Sequence, residues 1–319
     1  MNKTKRVAAF APALPPGLEQ LLTAYQQHCA KNGLRKDSIL QYEKVCRWFL
    51  HHLGNFGCME ASQITASRVV TACFELTSNS YLETVRTFLR YCADSEKTDR
   101  DYSYIIPPYK RPQPIPSVYS EDEIRRIEAA INRETPVGKR DYAIVLLGTR
   151  LGLRLDDIRT LKLDALDFTD ETIRFVQQKT LAQLVLPMVP ELKIALLDYI
   201  EHVRPDVCDD IVFRLSAPPY TPLRKNSVIA CYRRAVFKAK IETAGRGYGP
   251  RAFRSSLASS MVNDGIPYEA VRKTLGHIDP NAISHYARLD VEQLRFYSLP
   301  VPKATGTFAD FLAGRRPAQ

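Results

Sequence analysis

Residues 106–117 read IPPYKRPQPIPS, five prolines in twelve positions. Proline fixes φ and removes a backbone donor, so neither a helix interior nor a central strand can run through such a stretch. It predicts an extended, semi-stiff linker, and a chain interrupted this way must build its cores on either side. With 319 residues there is length for two domains, taking roughly 100–200 residues for each. The reading is a flexible arm at 1–15, a first domain at 16–105, the linker at 106–117, a second domain at 118–300 and a tail at 301–319.

The first domain reads as four amphipathic helices with short loops. Leu18, Leu21, Leu22, Tyr25 and Cys29 follow the i, i+3, i+4 spacing of one helix face, and Gly33 stops the run. A second helix begins near Asp37 or Ser38, turns Ile39, Tyr42, Cys46, Phe49 and Leu53 inward, and ends at Gly54. A third follows Thr65 with Val69, Val70, Cys73 and Leu76 inward, and a fourth begins near Asn79 or Ser80 with Tyr81, Val85, Phe88, Leu89 and Cys92. The polar faces carry Lys36, Lys44, Arg47, Arg68, Arg86 and Arg90, placed either to meet phosphates or simply as solvated helix surface.

The second domain opens on a capping box, Ser120 with Glu123, ahead of Ile124, Ile127 and Ile131. A helix from Asp141 runs to Gly152, and Ile158 and Leu161 mark a further helical turn. Two strand-like runs, Ile173–Val176 and Leu184–Met188, flank Lys179 and Thr180 in a turn. Helices are expected again at 191–204 and 225–240. The fold class is therefore mainly α with a small antiparallel β-sheet.

Charge narrows the partners. The chain carries a formal +10, and 1–117 hold 15 Lys and Arg against 10 Asp and Glu, so the excess is shared evenly with the remainder. Basic surface on both parts suits a polyanion, most simply nucleic acid. The seven cysteines are scattered with no C-x-x-C pair, which argues against a disulfide scaffold or a zinc site and for buried thiols in a reducing cytoplasm. No run of about 18 apolar residues is present to span a membrane, and the opening MNKTKRVAAFAPALPPG is too broken for a signal peptide.

The chemistry gathers near the C-terminus, in PRAFRSSLASSMVNDGIPYEAVRKTLGHIDPNAISHYARLD at 250–290. Arg251 and Arg254 share one helical face at i, i+3, and guanidinium forks suit non-bridging phosphate oxygens. His277 follows a helix that ends at Leu275-Gly276, placed to hydrogen-bond a phosphate oxygen or to cap the helix. Tyr286 is a candidate nucleophile. A phenol with pKa about 10 is ionised in roughly one molecule per thousand at neutral pH, a handicap of about 4 kcal/mol, so it needs cations or a base nearby. Upstream, Arg154 stands in the apolar run Leu-Gly-Leu-Arg-Leu, where a charge needs a reason, and Asp156 or Asp157 is placed to hold it. Lys179 either reaches inward as a general acid or is a solvated hairpin lysine. No metal-ligand spacing and no phosphate-cradling glycine loop occurs, so no cofactor is expected.

The order Arg154, Lys179, Arg251-x-x-Arg254, Leu275-Gly276-His277 and Tyr286 resembles the tyrosine recombinases, or phage integrase family. The family's T-G-L-R-x-x-E stands here as Leu151 to Asp157, its H-x-L-R-H as Arg251 to Ser255, and the L-G-H turn and the nine-residue step to the tyrosine match without change. The resemblance covers about residues 17–297 and implies a helical core-binding domain followed by the recombinase catalytic domain. It further implies that Tyr286 attacks the scissile phosphate of duplex DNA at a specific site, leaving a 3′-phosphotyrosyl link and a 5′-hydroxyl. Arg154 and Arg254 would clamp the phosphate, Lys179 would protonate the leaving oxygen, His277 would support the transition state and Asp157 would orient a clamp residue. The core-binding domain would touch DNA through Lys36, Lys44, Arg47, Arg86 and Arg90. The working form would be a cytoplasmic tetramer on two sites, needing no metal and no ATP, with an apolar tail cluster at 308–312 docking on a neighbouring protomer or on its own chain. Such an enzyme would integrate or excise a mobile element; a type IB topoisomerase-like enzyme and a catalytically dead DNA-binding protein are the alternatives.

One position departs from the pattern. Where the family carries the histidine usually read as the base, this chain has Arg251, which cannot accept a proton at pH 7. Arg251 would then lower the phenol pKa as a third cation, in the place where type IB topoisomerases carry a lysine, or the base work passes to His285 or water.

Overall fold

The computed structural model describes residues 12–74, 76, 78–108, 117–277 and 304–314. The chain divides into two compact units, Met1–Pro112 and Gln113–Gln319.

The first unit holds α1 (Pro16–Lys31), α2 (Lys36–Asn55), α3 (Ala66–Cys73) and α4 (Asn79–Asp94). Helix α1 begins with a proline, whose missing N–H costs nothing in the first turn. The Thr65 side chain accepts the Arg68 N–H to cap α3. The predicted inward residues of α1 are all buried, and Tyr25 meets Phe88 edge-on and Tyr91 at a tilt, each with 5.1 Å between ring centres. Val70 corrects the expected face of α3: it is exposed, because so short a helix buries only the narrow seam of Val69 and Ala72. Among the candidate DNA contacts, Lys36, Lys44 and Arg90 are exposed. Arg47 is committed elsewhere: its guanidinium forks onto Glu19 at 2.7 and 2.7 Å and reaches Glu43 at 2.8 Å, tying α2 to α1. The same bond from Arg47 holds the Glu19 carboxyl below its ordinary range. Arg86 pairs with Glu83 on its own helix at 3.2 Å.

In the second unit, α5 (Glu121–Ala129) starts on the predicted capping box, with the Glu123 carboxylate accepting the Ser120 N–H and the Ser120 hydroxyl accepting the Glu123 N–H. Helix α6 (Pro136–Arg150) is buried on nearly every side from Ala143 to Thr149, the mark of a central core helix. Around it lie α7 (Leu155–Arg159), α8 (Pro190–His202), α9 (Lys225–Lys238), α10 (Pro250–Asn263) and α11 (Tyr268–Leu275), with α12 (Gly306–Leu312) near the end. Strands β1 (Leu166–Asp167), β2 (Thr172–Val176) and β3 (Gln183–Pro187) form one antiparallel sheet in that order. Ile173 pairs with Leu186 on its buried face, while Arg174 and Val185 pair on the solvent face. The fold is mainly helical with one small sheet.

A charge cluster centred on the buried Asp141 locks α6 to α9, with Arg234 reaching it from the surface. Asp141 accepts from Arg140 at 2.9 Å, from Arg234 at 2.5 Å and from the Cys231 thiol at 3.1 Å, and Arg140 also donates to the Arg214 carbonyl at 3.0 Å.

Candidate active site

The site begins where α6 stops. Gly152 adopts φ +60°, a left-handed conformation that glycine enters without strain, and Leu153 N–H closes the helix end on Leu147 O at 3.1 Å. The elbow delivers Arg154 to the N-cap of α7. A side chain at Gly152 would also meet Leu275 Cδ2 at 2.9 Å, so the glycine permits the close approach of α11. Helix α11 stops in the same manner: Gly276 has φ 63° and ψ 46°, its N–H bonds to Lys273 O at 3.0 Å and that of His277 to Arg272 O at 3.0 Å.

The carbonyls that α11 cannot satisfy internally become ligands for the two arginines. Arg254, buried on α10, donates to Gly152 O at 2.7 Å and to Leu275 O at 2.5 Å. Arg154 donates to Gly276 O at 3.2 Å and to the Gln177 side-chain oxygen. Cations at a helix C-terminus also oppose the negative end of its dipole. The sequence-predicted clamp residues Arg154 and Arg254 are thus brought onto successive carbonyls of one turn.

Gln177 joins the pieces and was not anticipated from the sequence. It is 1% exposed and follows β2. Its amide nitrogen donates to Leu275 O at 3.1 Å, and its amide oxygen accepts from the Thr180 hydroxyl at 2.6 Å as well as from Arg154. A side chain at Gly276 would fall 2.5 Å from that amide oxygen. The available signal was its place beside Lys179 in a hairpin turn. Lys179 lies in that turn and is exposed, the solvated placement of the two that the sequence leaves open.

Asp157 acts on the hairpin. One carboxylate oxygen accepts the Gln178 N–H at 2.7 Å, and the other has no hydrogen-bond partner among the described residues. Burial raises its carboxyl above the usual range, against the pull of that N–H and of Arg154 and Arg254. Its hydrogen bond holds the turn that carries Lys179, and its charge acts on both Arg154 and Arg254. Arg251 is exposed in the first turn of α10, on the same helix as Arg254. Tyr286 and His285 lie outside the described residues.

His277 feels the assembled charge. Burial first, then Arg254, Arg154, Lys179 and Arg272, push its imidazole down from 6.5 to about 3, so the ring is neutral at pH 7. A histidine that resists protonation in the fold costs stability once the unfolded chain takes up the proton. The penalty is absent above about 6.5 and grows as the pH falls toward about 3. Urea titrations at pH about 7.5 and about 5 should show His277→Gln losing less stability than the wild type, by about 1 kcal/mol after allowing for the ring's partial exposure. Equal losses would refute the placement of the ring in this field.

Among the described residues no group of three or more His, Cys, Asp or Glu is arranged to hold a metal ion, and no helix is long and apolar enough to cross a membrane. Comparison with known proteins gives a consistent result. A Sinorhizobium fredii protein classed as an integrase/recombinase, y4rA, is 28% identical over 299 residues, covering 90% of this chain and 72% of that one. A second from the same organism and class, y4gC, is 31% identical over 189 residues, covering 59% of this chain and 97% of that one. The fold is similar to that of a lambda integrase tetramer solved on a Holliday junction, with a TM-score of 0.63 and 16% identity across 90% of this chain and 80% of that one. Residues 117–293, more than half of the chain and spanning every element of the site, match the phage integrase family. The chain therefore belongs to the phage integrase family, the tyrosine recombinases.

Proposed function

We propose that this recombinase cuts and rejoins duplex DNA at a specific site through a 3′-phosphotyrosyl intermediate, in the integration or excision of a mobile element. The observation that carries the reading is the convergence of Arg154 and Arg254 on the Leu275-Gly276 turn, beside His277 and the hairpin bearing Lys179. Two guanidinium groups held in fixed orientations offer donors to the non-bridging oxygens of a phosphate, where negative charge grows during transfer. The Tyr286 oxygen forms the new bond to phosphorus, the bond to the 5′ oxygen breaks, Lys179 supplies the proton that this oxygen takes, and the phenolic proton passes to water. Arg251 contributes positive charge that favours the phenolate. One phosphodiester is exchanged for another, so rejoining needs no nucleotide.

Residues 16–105 would serve as the core-binding domain, gripping DNA with Lys36, Lys44 and Arg90, and 118–300 as the catalytic domain. The protein would work in the cytoplasm as a tetramer on two sites, in keeping with the tetrameric assembly of lambda integrase, with part of 301–319 docking on a neighbouring protomer.

A nicked suicide duplex carrying the cognate site tests this. The wild type should accumulate a denaturant-resistant protein–DNA complex, and Tyr286→Phe should bind the same duplex without forming any. Binding with no covalent product from the wild type would leave a DNA-binding protein only. Relaxation of arbitrary supercoiled plasmid without exchange between sites would show a topoisomerase.

A further inference from the structure

We propose that Gln177 is a positioning residue that sets the general-acid hairpin and the arginine clamp in one register, an inference resting on the phosphotyrosyl reading above. A glutamine amide has four hydrogen-bonding sites, and the described contacts use both ends. Its oxygen takes Arg154 and the Thr180 hydroxyl, and its nitrogen is spent on the Leu275 carbonyl that also holds Arg254. The main chain is fixed as well: Gln177 N–H donates to Ala182 O at 2.9 Å and Leu181 N–H to Gln177 O at 2.9 Å, closing the turn around Lys179. On either side of Lys179, Gln178 is tied to Asp157 and Thr180 is tied to Gln177. Lys179 and Arg154 lie 25 positions apart in the sequence, yet a single buried side chain stands between their supports.

The geometry explains why both neighbours of this amide are restricted. Gly276 must lack a side chain because the Gln177 amide fills that space, with its oxygen 2.5 Å from where a Cβ would sit. The carbonyl of Leu275 is shared by Gln177 and Arg254. A shift of the hairpin is therefore felt by Arg154 directly and by Arg254 through one shared atom. In a reaction whose acid and electrostatic clamp must meet the same phosphate, a misplacement of about 1 Å can cost about a hundredfold in rate.

The experiment separates the two halves of that role. A duplex with sulfur in place of the bridging 5′ oxygen releases a thiolate, which leaves without the proton that Lys179 supplies; the new bond is still from Tyr286 to phosphorus, and the bond broken is phosphorus to sulfur. On the ordinary duplex, Gln177→Met, matched in length but without hydrogen bonds, should lower the single-turnover cleavage rate about a hundredfold at saturating protein, with DNA affinity within about threefold of wild type. On the sulfur-bridged duplex part of this loss should return: more than for Arg154→Ala, less than for Lys179→Ala. Thermal melting reports whether the variant folds, and Gln177→Glu supplies a second variant that preserves shape and the acceptor to Arg154.

Full recovery on sulfur would assign Gln177 to the acid alone, and no recovery to the clamp alone; either overturns the shared role. Both variants cleaving within about threefold of the wild type would overturn it too. A wild type that forms no covalent complex on either duplex would overturn the phosphotyrosyl reading itself, and this inference with it.

Discussion

Replacing Arg254 by alanine should lower covalent-complex formation by about a thousandfold, the upper end of what removing one preorganised donor costs in a buried site. Arg254 is 6% exposed, so its charge is poorly screened by water, and its guanidinium is fixed by carbonyls from two different helix ends, Gly152 and Leu275. Those two bonds leave it aimed in one direction before substrate arrives. Lysine should restore little, because a single ammonium on a flexible stem cannot reproduce the fork that spans both carbonyls. Alanine would also leave the Gly152 carbonyl short of a donor, at about 1–3 kcal/mol when buried, while Leu275 O keeps the Gln177 amide, so a fall in melting temperature should accompany the kinetic loss. Single-turnover assays on a nicked duplex measure the first effect and thermal melts the second. A variant that cleaves at the wild-type rate would refute the clamp.

A larger effect on stability is expected far from the chemistry. Asp141→Ala should destabilise the second unit by about 3–5 kcal/mol, because it strands a buried cation. Arg140 is 6% exposed and depends on the Asp141 carboxylate, which Arg234 and the Cys231 thiol also share. Asn should be intermediate, keeping one acceptor and losing the charge. Urea denaturation followed by circular dichroism would measure both variants; a loss below about 1 kcal/mol for alanine, the size of an ordinary surface substitution, would show that the cluster does not depend on its carboxylate.

Much of this molecule was legible in the sequence, and what was not has identifiable reasons. Apolar spacing located α1 to α4 because each buries one continuous face, and the L-G-H turn announced the end of α11 because a left-handed residue there is a glycine's work. Val70 was misplaced because α3 is too short for its period to fix which valine faces inward. Arg47 looked like a phosphate contact because its partner Glu19 lies 28 residues away and only the packing of α1 on α2 brings them together. Gln177 escaped because glutamine is ordinarily a surface residue, and its burial is decided by a carbonyl 98 residues further on. The Leu275 and Gly276 carbonyls could not be found by residue type at all, since every residue carries the same acceptor. Arg251 was legible as a departure from the pattern, and its exposed place beside the buried Arg254 gives the departure a location.

The clamp's hydrogen bonds close loops of 102 and 122 residues, from Arg254 back to Gly152 and from Gly276 back to Arg154. During synthesis the N-terminal parts of a chain emerge and fold first. A nascent chain that has passed β3 already holds Arg154, Lys179 and Gln177, but has neither Arg254 nor the carbonyls of Leu275 and Gly276. The first unit, whose residues all precede Gln113, is synthesised before any part of the clamp. Prematurely terminated chains therefore lack the second arginine and the turn that holds the first, and for the chemistry proposed here translation itself keeps an incomplete product from cutting the genome.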